Sequence, residues 1–438
     1  MEWEAVDEGV YERALDPVER MYQAIAVPPI AGGAEHAPIV LAIRLGNVDG
    51  HDLKKNLRTA WRLLRYAVPC LATTIEAGMR VYRIANADEL EAWTKRTFIV
   101  QYGVCAHDLF SELGHVSEAM LYYLPQAEEI MLRVPHYMTD GIGAIMAIND
   151  LLRLAISPVE VQFGTEWKRL SPSIQLAAEI RAPTEAQRKS TQAKMLDWSS
   201  SLPSIGLPLT ISGRPPGRSR RLQSTFKINE SMMIQCICAV RGISILSAFQ
   251  AAYIEAARKI NLQSVGTNFV SFGVFNLRNY CKKPFSTYMH PFSCYNIGLP
   301  MVIKTGEFMT TARAIKEYYD NEKEHPDLLS TLPVLADSLV PIFGARPAVP
   351  MSTPTMSNVG IVDRSGLLTE YGSMKVTNFW LSINSLTSYI LFLLWEWKGE
   401  ISFCVNWNEA FYSDEGIEAF VSLTREELFR GLGLDGRM

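Results

Sequence analysis

Strand and helix patterns alternate in both halves of this chain, and this alternation restricts the fold more than any other feature of the sequence. In the first half, an apolar run at Ile39–Leu45 is followed by a segment with apolar residues at helical spacing. In the second half, strand patterns at 267–275 and 402–407 lie on either side of a helical pattern at 309–322. Interleaved strands and helices predict the α/β class, in two units of similar size.

A segment rich in Pro, Ser and Gly, residues 158–222, separates the two units. This composition is typical of exposed chain between domains. We therefore predict an N-terminal unit over 1–185, a linker over 186–222 and a C-terminal unit over 223–438. Near the start of the chain, residues 8–26 are predicted to be helical, with a helix start marked by Asp16 as N-cap and Pro17 as the first helical residue.

The overall composition fits a globular protein, with 48% apolar and 20% charged residues and a formal net charge of −4. This charge gives no reason to expect binding to nucleic acid or to an anionic membrane. The uncharged stretch Val376–Trp395 contains many polar side chains that would be costly in lipid, so we predict buried strands there. Seven scattered cysteines and an N-terminus without an apolar leader predict reduced thiols and a cytoplasmic location. Seven histidines without a pair at ligand spacing predict no metal site.

The sharpest chemical feature is the string His136-x-x-x-Asp140-Gly141, which lies between a predicted buried strand and a predicted helix. A neutral imidazole accepts a proton from a hydroxyl near pH 7, because its ordinary pKa is about 6.5. Gly141 suits a sharp turn with unusual backbone angles, and Asp140 either braces the turn or stabilises charge. The alternative interpretation makes His136 a hydrogen-bonded core residue and Asp140 a helix N-cap.

Several segments of the chain, taken in their order along the sequence, resemble segments of one superfamily. Leu132–Gly141 resembles the active-site motif shared by plant BAHD acyltransferases, non-ribosomal peptide condensation domains and fungal O-acetyltransferases, which have the chloramphenicol-acetyltransferase-like fold. The segments that resemble later parts of that family are Val240–Ser244, Phe275–Arg278, Cys294–Gly298, Ser357–Gly360 and Phe403–Leu428. Pro135 stands where condensation domains usually carry a second histidine, and the Asp-Phe-Gly-Trp-Gly string of plant enzymes is missing. The chain therefore resembles the fungal O-acyltransferases more than the plant enzymes.

The resemblance implies two chloramphenicol-acetyltransferase-like subdomains, each a mixed sheet with flanking helices, that meet at a central channel. It implies that His136 is the general base for acyl transfer from acyl-CoA to a hydroxyl or amine of a hydrophobic natural product, such as a polyketide or terpenoid. Asp140 would be structural and would pair with Arg278 of the second subdomain. The resemblance also implies a monomer with acyl-CoA as co-substrate and no permanently bound cofactor.

Further residues are candidates for the substrates. For the channel, including a donor to the oxyanion, the candidates are Tyr295, Ser357, Asn358, Phe379, Trp380 and Asn384. For the CoA phosphates, to which arginine binds well, they are Arg218, Arg220 and Arg221, although a solvated linker is the favoured interpretation of this cluster.

Two other functions remain open at the level of sequence. The same fold could catalyse a CoA-independent acid/base reaction, such as a cyclisation, dehydration or hydrolysis, with His136 as the acid or base. The chain could instead be a non-catalytic protein that binds small molecules.

Overall fold

The computed structural model describes residues 2–26, 35–46, 52–112, 114, 116–210, 216–262, 268–287, 289–344 and 351–435. Within these ranges the strands are β1 (Glu4–Asp7), β2 (Val10–Ala14), β3 (Ile39–Gly46), β4 (Thr74–Glu76), β5 (Met79–Arg83), β6 (Phe98–Val100), β7 (Met120–Leu124), β8 (Glu129–Val134), β9 (Ser219–Thr225), β10 (Asn268–Asn276), β11 (Asn296–Lys304), β12 (Pro354–Ile361), β13 (Glu370–Tyr371), β14 (Met374–Ile383), β15 (Ile390–Trp397) and β16 (Glu400–Asn408).

The α-helices in the same ranges are α1 (Pro17–Ala26), α2 (Leu53–Ala67), α3 (Ala87–Thr97), α4 (Ala106–Phe110), α5 (Gly141–Ile156), α6 (Ile174–Ala177), α7 (Glu185–Ser200), α8 (Ile228–Val240), α9 (Ile245–Ile260), α10 (Phe308–Glu324), α11 (Leu328–Gly344) and α12 (Asp414–Leu432).

The largest sheet has six strands in the order β13-β14-β3-β8-β7-β6. β6 and β7 are parallel and the other pairs are antiparallel, so the sheet is mixed. Helices α2 and α5 pack together on this sheet, and α5 contacts both β3 and β8. Every residue of β8 is buried, because its apolar side chains lie within this first core.

The second half of the chain forms a four-stranded mixed sheet in the order β12-β15-β16-β9 and a two-stranded ribbon of β10 and β11. β12 and β15 run parallel, whereas β15, β16 and β9 are antiparallel. Helix α9 is the central element of this half, because it packs against α8, α10 and α12 and contacts β12. The two halves thus have the same kind of architecture, a mixed sheet flanked by helices.

Strand pairing connects the predicted N-terminal and C-terminal units. β14 lies in the predicted C-terminal unit, yet it pairs with β3 over residues Lys375–Ile383 and places β13 at the edge of the first sheet. The predicted linker 186–222 holds most of α7 and the first half of β9. Helix α1, at the other end of the chain, packs against α11. The two halves are therefore joined by exchanged elements in addition to the connecting segment.

The prediction of a helix over 8–26 is wrong in its first part. Residues Val10–Ala14 form β2, which pairs with β1 and β5 in a small antiparallel sheet. The predicted helix start is confirmed, because the Asp16 carboxylate accepts from the Glu19 backbone N–H at 2.9 Å and α1 begins at Pro17. The uncharged stretch Val376–Trp395 lies in β14 and β15, as predicted, except for the connection 384–389 between them.

In the part of the chain that the structure describes, no helix on its own has the length and apolar character needed to cross a membrane. Two helix pairs, α8 with α9 and α10 with α11, reach that length and composition only jointly, and they are bent by 100° and 108°.

Candidate active site

The backbone around His136 is held by the strand before it and the helix after it. β8 ends at Val134, and Pro135 has no N–H with which to extend the ladder. The Met138 N–H donates to the Pro135 carbonyl at 3.0 Å and closes a turn, and α5 begins at Gly141. His136 therefore lies in a short turn between a fully buried strand and a buried helix, which is a rigid setting for a side chain.

The His136 imidazole is enclosed, with 8% of the residue exposed. Its ring stacks on the Tyr22 ring with centroids 4.0 Å apart and planes within 11°. Nδ1 is buried without a hydrogen-bond partner of ordinary geometry among the described residues. Because Nδ1 is enclosed, Nε2 is the nitrogen available to a substrate.

Burial lowers the pKa of His136 below its ordinary value, since the charged form loses its hydration. The backbone carbonyls of His136 and Thr139 and the charge of Asp140 oppose this shift but do not cancel it. The ring is consequently neutral near pH 7, which is the protonation state that a general base requires.

The Asp140 carboxylate is fixed by three donors. As N-cap of α5 it accepts from the Gly143 backbone N–H at 2.9 Å. Its other oxygen, Oδ2, accepts from Arg278 Nη1 at 2.5 Å and from the Tyr295 backbone N–H at 3.1 Å. The ion pair is buried on both sides, so Asp140 connects the start of α5 to the second half of the chain.

Gly141 does not have the unusual backbone angles that we expected, because it is the first residue of α5 and has no positive φ. A Cβ at Gly141 would lie 3.0 Å from Cδ2 of Leu381 in β14, so its small size serves close packing. The stricter requirement is at Gly143, which the sequence analysis missed. A Cβ there would lie 2.1 Å from the Pro291 carbonyl oxygen and 2.3 Å from Thr139 Oγ1.

Three of the predicted channel residues lie in the core. Tyr295 is buried, and its hydroxyl donates to the Pro172 carbonyl at 2.9 Å. Phe379 packs edge-on against Trp395, with ring centroids 5.8 Å apart. Trp380 is also buried, and the Arg221 guanidinium lies over its ring at 4.1 Å.

The other three channel candidates are polar residues in or after strands. Ser357 and Asn358 are in β12, where Asn358 is exposed and its side-chain oxygen accepts from the Gly360 N–H at 3.0 Å. Asn384 follows β14 and is buried. Its Nδ2 donates to the Phe110 carbonyl at 2.9 Å, and its Oδ1 is buried without a partner among the described residues.

The three arginines proposed for CoA phosphates differ in their surroundings. Arg220 forms an ion pair with Asp414 at the start of α12. Arg221 stacks on Trp380 and donates to the Gln223 side chain at 2.9 Å. Arg218 is exposed, and its backbone N–H donates to Glu409 at 3.0 Å. Only the Arg218 side chain, of these three, lacks a recorded partner within the described ranges.

Tyr22 and His36 also lie near His136, and neither was predicted to be part of the site. Tyr22 is in α1, more than a hundred residues from the ring on which it stacks. His36 precedes β3 and is close enough to His136 for a charge on one ring to disfavour a charge on the other. No local motif marks either residue, because both contacts depend on long-range packing. Within the described ranges no three His, Cys, Asp or Glu side chains are grouped so as to hold a metal ion.

Comparison with known proteins identifies similar chains and similar folds. No protein-family model matches the chain. It is 22% identical to O-acetyltransferase pigM of Monascus ruber over 431 residues, covering 95% of this chain and 84% of the relative. It is 23% identical to acetyltransferase pigO of the same organism over 464 residues, covering 99% of each.

Among solved structures, TRI3 trichothecene 15-O-acetyltransferase from Fusarium sporotrichioides has a TM-score of 0.85 at 17% identity, with 98% of both chains covered. This agreement over nearly the whole length confirms the predicted fold class of two mixed-sheet subdomains. The chain has the chloramphenicol-acetyltransferase-like fold, and the proteins that it resembles in sequence and in structure include fungal acetyltransferases.

Proposed function

We propose that the chain is an acyltransferase that moves an acyl group from acyl-CoA to a hydroxyl or amine of a hydrophobic natural product. The observation that carries this proposal is the His136 ring, which is neutral, enclosed and fixed by stacking, with Nε2 as its available nitrogen. The similarity to proteins named as acetyltransferases supports the reaction class. For the acceptor we propose a hydroxyl of a polyketide or terpenoid.

The reaction follows from one base and one electrophile. His136 Nε2 accepts the proton of the acceptor hydroxyl while the oxygen attacks the thioester carbonyl, and the carbonyl π electrons move to its oxygen. Collapse of this oxyanion re-forms the carbonyl and breaks the carbon–sulfur bond. The imidazolium then returns its proton to the departing thiolate, which leaves as free CoA. A positioned base contributes about a hundred- to ten-thousandfold in rate.

Asp140 and Arg278 support this chemistry without taking part in it. Both oxygens of the carboxylate are used by the α5 N-terminus, Arg278 and the Tyr295 N–H, so Asp140 is not available to transfer a proton. Burial lowers the pKa of His136, and the charge of Asp140 acts in the opposite direction. We propose that the pair fixes the turn that holds His136.

A reaction without CoA is the second candidate. It is favoured by the surroundings of Arg220 and Arg221, whose guanidinium groups are already engaged with Asp414 and Trp380 instead of being free for phosphate. The same neutral imidazole would then act on a single bulky substrate.

An acyl-transfer screen read by mass spectrometry separates these candidates. Wild-type protein, His136→Ala and a control, His325→Ala, are incubated with acetyl-CoA and longer acyl-CoAs and a panel of hydrophobic alcohols. His325 is exposed beyond the end of α10, so its replacement should leave activity unchanged. We expect an acylated product with wild type and the control, and its loss in a folded His136→Ala. Conversion of an acceptor by wild type without consumption of any acyl-CoA would establish the second candidate instead.

A further inference from the structure

Three neighbouring strands of the six-stranded sheet begin or end at the same place. They are β3, which begins there, and β8 and β14, which end there. In the antiparallel ladders, Ile39 at the start of β3 pairs with Val134 at the end of β8 and with Ile383 at the end of β14. Beyond these pairs the chain after β8 turns at Pro135–Met138, and His36 and Ala37 stand just before β3, so His36 and His136 both lie at this end of the paired strands. The hydrogen bond from the Ala37 N–H to the Asn384 carbonyl, 2.8 Å, holds the same segment to the residue that follows β14.

The backbone at His36 is fixed from both sides. Its N–H donates to the Ala26 carbonyl at the end of α1, at 2.8 Å. The next residue, Ala37, has a φ of +60°, a left-handed conformation that residues with a Cβ adopt rarely. Such a conformation persists only where the surrounding structure determines it. The position of His36 is therefore determined by the ends of the paired strands and by α1. Only 7% of the residue is exposed, which leaves its ring little freedom.

The His36 ring has a single tautomer in this setting. Its Nδ1 accepts a hydrogen bond from the Leu386 backbone N–H at 3.0 Å. A backbone N–H only donates, so Nδ1 carries a lone pair and the ring proton is on Nε2. Burial, together with the nearby His136, lowers the pKa of His36 to about 4, which agrees with a neutral ring. Among the described residues, Leu386 is the only recorded hydrogen-bond partner of the ring.

We infer that His36 is a second catalytic residue, whose Nε2–H donates a hydrogen bond to the carbonyl oxygen of the acyl thioester and to the oxyanion that forms from it. This inference rests on the proposed acyl transfer. The two histidines then have complementary roles at the same end of β3 and β8, because His136 offers a lone pair on Nε2 and His36 offers a proton on Nε2. A neutral donor held in place before the reaction stabilises the developing charge without reorganisation.

Asn384, a buried polar residue that directly follows β14, is less suited to that role. Its NH₂ group already donates to the Phe110 carbonyl, and the atom left without a partner is Oδ1, an acceptor. An acceptor oxygen beside an oxyanion would repel it. Other titratable groups near His36 or His136 are Tyr22, Asp140, Tyr137 and Glu35, of which Glu35 faces Arg133 at 3.6 Å. None of these four side chains has an N–H to donate.

The charge and proton balance of the transfer is unchanged by this assignment. The bond that forms joins the acceptor oxygen to the carbonyl carbon, and the bond that breaks joins that carbon to sulfur. The acceptor proton moves to His136 and then to the thiolate. The His36 proton is shared with the oxyanion and stays on His36 throughout.

Two substitutions of His36 separate the proposed role of Nε2–H as a donor from the role of Nδ1 as the acceptor for the Leu386 N–H. His36→Asn places a side-chain oxygen near the position of Nδ1, so it retains an acceptor for the Leu386 N–H and loses the Nε2–H. His36→Gln places an amide N–H near the position of Nε2 and gives up the Nδ1 acceptor. With acetyl-CoA and an acceptor found in the screen, we expect His36→Asn to lower kcat by about 10²- to 10³-fold with a much smaller change in KM for acetyl-CoA. His36→Gln should recover part of that loss.

The outcomes distinguish this inference from the proposed function. If His36→Asn remains folded, with a melting temperature near that of wild type, and keeps the wild-type kcat, the inference is overturned and acyl transfer stands. A kcat loss in His36→Asn that His36→Gln does not recover at all would also contradict a donor role. If wild type transfers no acyl group from CoA, both the proposed function and the inference fail.

Nitrogen NMR tests the tautomer without any substrate. In protein labelled with ¹⁵N-histidine, the signals of His36 are identified by their absence from His36→Asn. We expect the Nε2–H pattern to persist from about pH 5.5 to 8.5, a range in which an ordinary histidine titrates. A His36 ring that takes up a second proton in this range, or that carries its proton on Nδ1, would overturn the inference.

Discussion

At the scale of single residues, the site depends on a histidine that is kept neutral and held in one orientation. Burial supplies the first property, because it disfavours the imidazolium, and the Tyr22 ring stacked at 4.0 Å supplies the second. The string His136-x-x-x-Asp140 was visible in the sequence. The residue that orients His136 was not, because a stacking partner in α1 has no fixed spacing from it.

The pH dependence of the proposed transfer should report this burial. Protonation of His136 removes the base, so kcat/KM falls as the pH drops through the pKa of the ring in the free enzyme. Because that pKa is lowered, the midpoint of the acid limb should lie below about 6.5, the ordinary value for histidine. Tyr22→Ala admits water to the ring, so it should move the midpoint upward and lower kcat. Steady-state rates from about pH 4.5 to 8 measure both changes.

Two results would contradict this interpretation. One is an acid limb of wild type centred at or above the ordinary histidine pKa, which would mean that His136 is hydrated. The other is a Tyr22→Ala variant with the wild-type profile. Tyr22→Phe is the matched control, since it keeps the stacked ring and removes only the hydroxyl.

At the scale of elements, the start of α5 determines the position of the turn that holds His136. β8, the turn and α5 follow the predicted order, and Asp140 has the N-cap role of the simpler alternative in addition to its ion pair with Arg278. The close approach of the Pro291 carbonyl to Gly143 was not predictable, because Pro291 belongs to a loop of the other half of the chain. A glycine that follows the motif by two residues signals a close approach only once the neighbouring backbone is known.

Gly143→Ala should therefore destabilise the protein. The added Cβ would lie 2.1 Å from a backbone oxygen and 2.3 Å from Thr139 Oγ1, so α5 or the Pro291 loop must shift. Overpacking of this kind costs about 1–3 kcal/mol, and the shift should also lower kcat through His136. Urea unfolding and steady-state kinetics measure the two effects. Gly114→Ala is the control, because a Cβ there meets nothing within 4 Å; equal stability of the two variants would contradict the packing argument.

The helix that we predicted over residues 8–26, wrong in its first part, also concerns a single element. β2 has five residues, and in so short a segment the apolar pattern does not separate a strand from the first turns of a helix. Its pairing with β5 decides the conformation. The helix start at Pro17 was predictable, because a cap and a proline act within four residues of each other.

At the scale of the whole molecule, the two halves hold each other in place. β14 completes the first sheet, α1 packs on α11, and the ion pair of Asp140 with Arg278 joins the turn that holds His136 to the second half. The Asp140–Arg278 partnership was expected from the family resemblance. The exchange of β14 was not expected, and it explains why residues at the end of that strand reach the edge where His136 lies.

Removal of one partner of the buried ion pair should destabilise the whole chain. Arg278→Ala leaves the Asp140 charge buried without its counterion, a change that costs about 3–5 kcal/mol. The double variant Asp140→Asn/Arg278→Met, which removes both charges, should be more stable than Arg278→Ala. Equilibrium unfolding in urea measures the free energies of unfolding.

An exposed ion pair provides the control for this experiment. Lys316 and Asp320 lie one turn apart on the surface of α10, so Lys316→Ala should change the free energy of unfolding by less than about 1 kcal/mol. A loss in Arg278→Ala no larger than that of Lys316→Ala would mean that the buried pair does not join the halves.

The sequence by itself determined the α/β class, the order of most elements, the start of α1 and the position of His136 between a buried strand and a helix. These features depend on periodicity and on capping residues a few positions apart, which a single chain displays directly. The tertiary structure decided which sheet receives β14, which ring stacks on His136, which glycine is closely approached by another backbone and where His36 lies. Each of these depends on contacts between residues tens to hundreds of positions apart, and local sequence patterns do not encode such pairings.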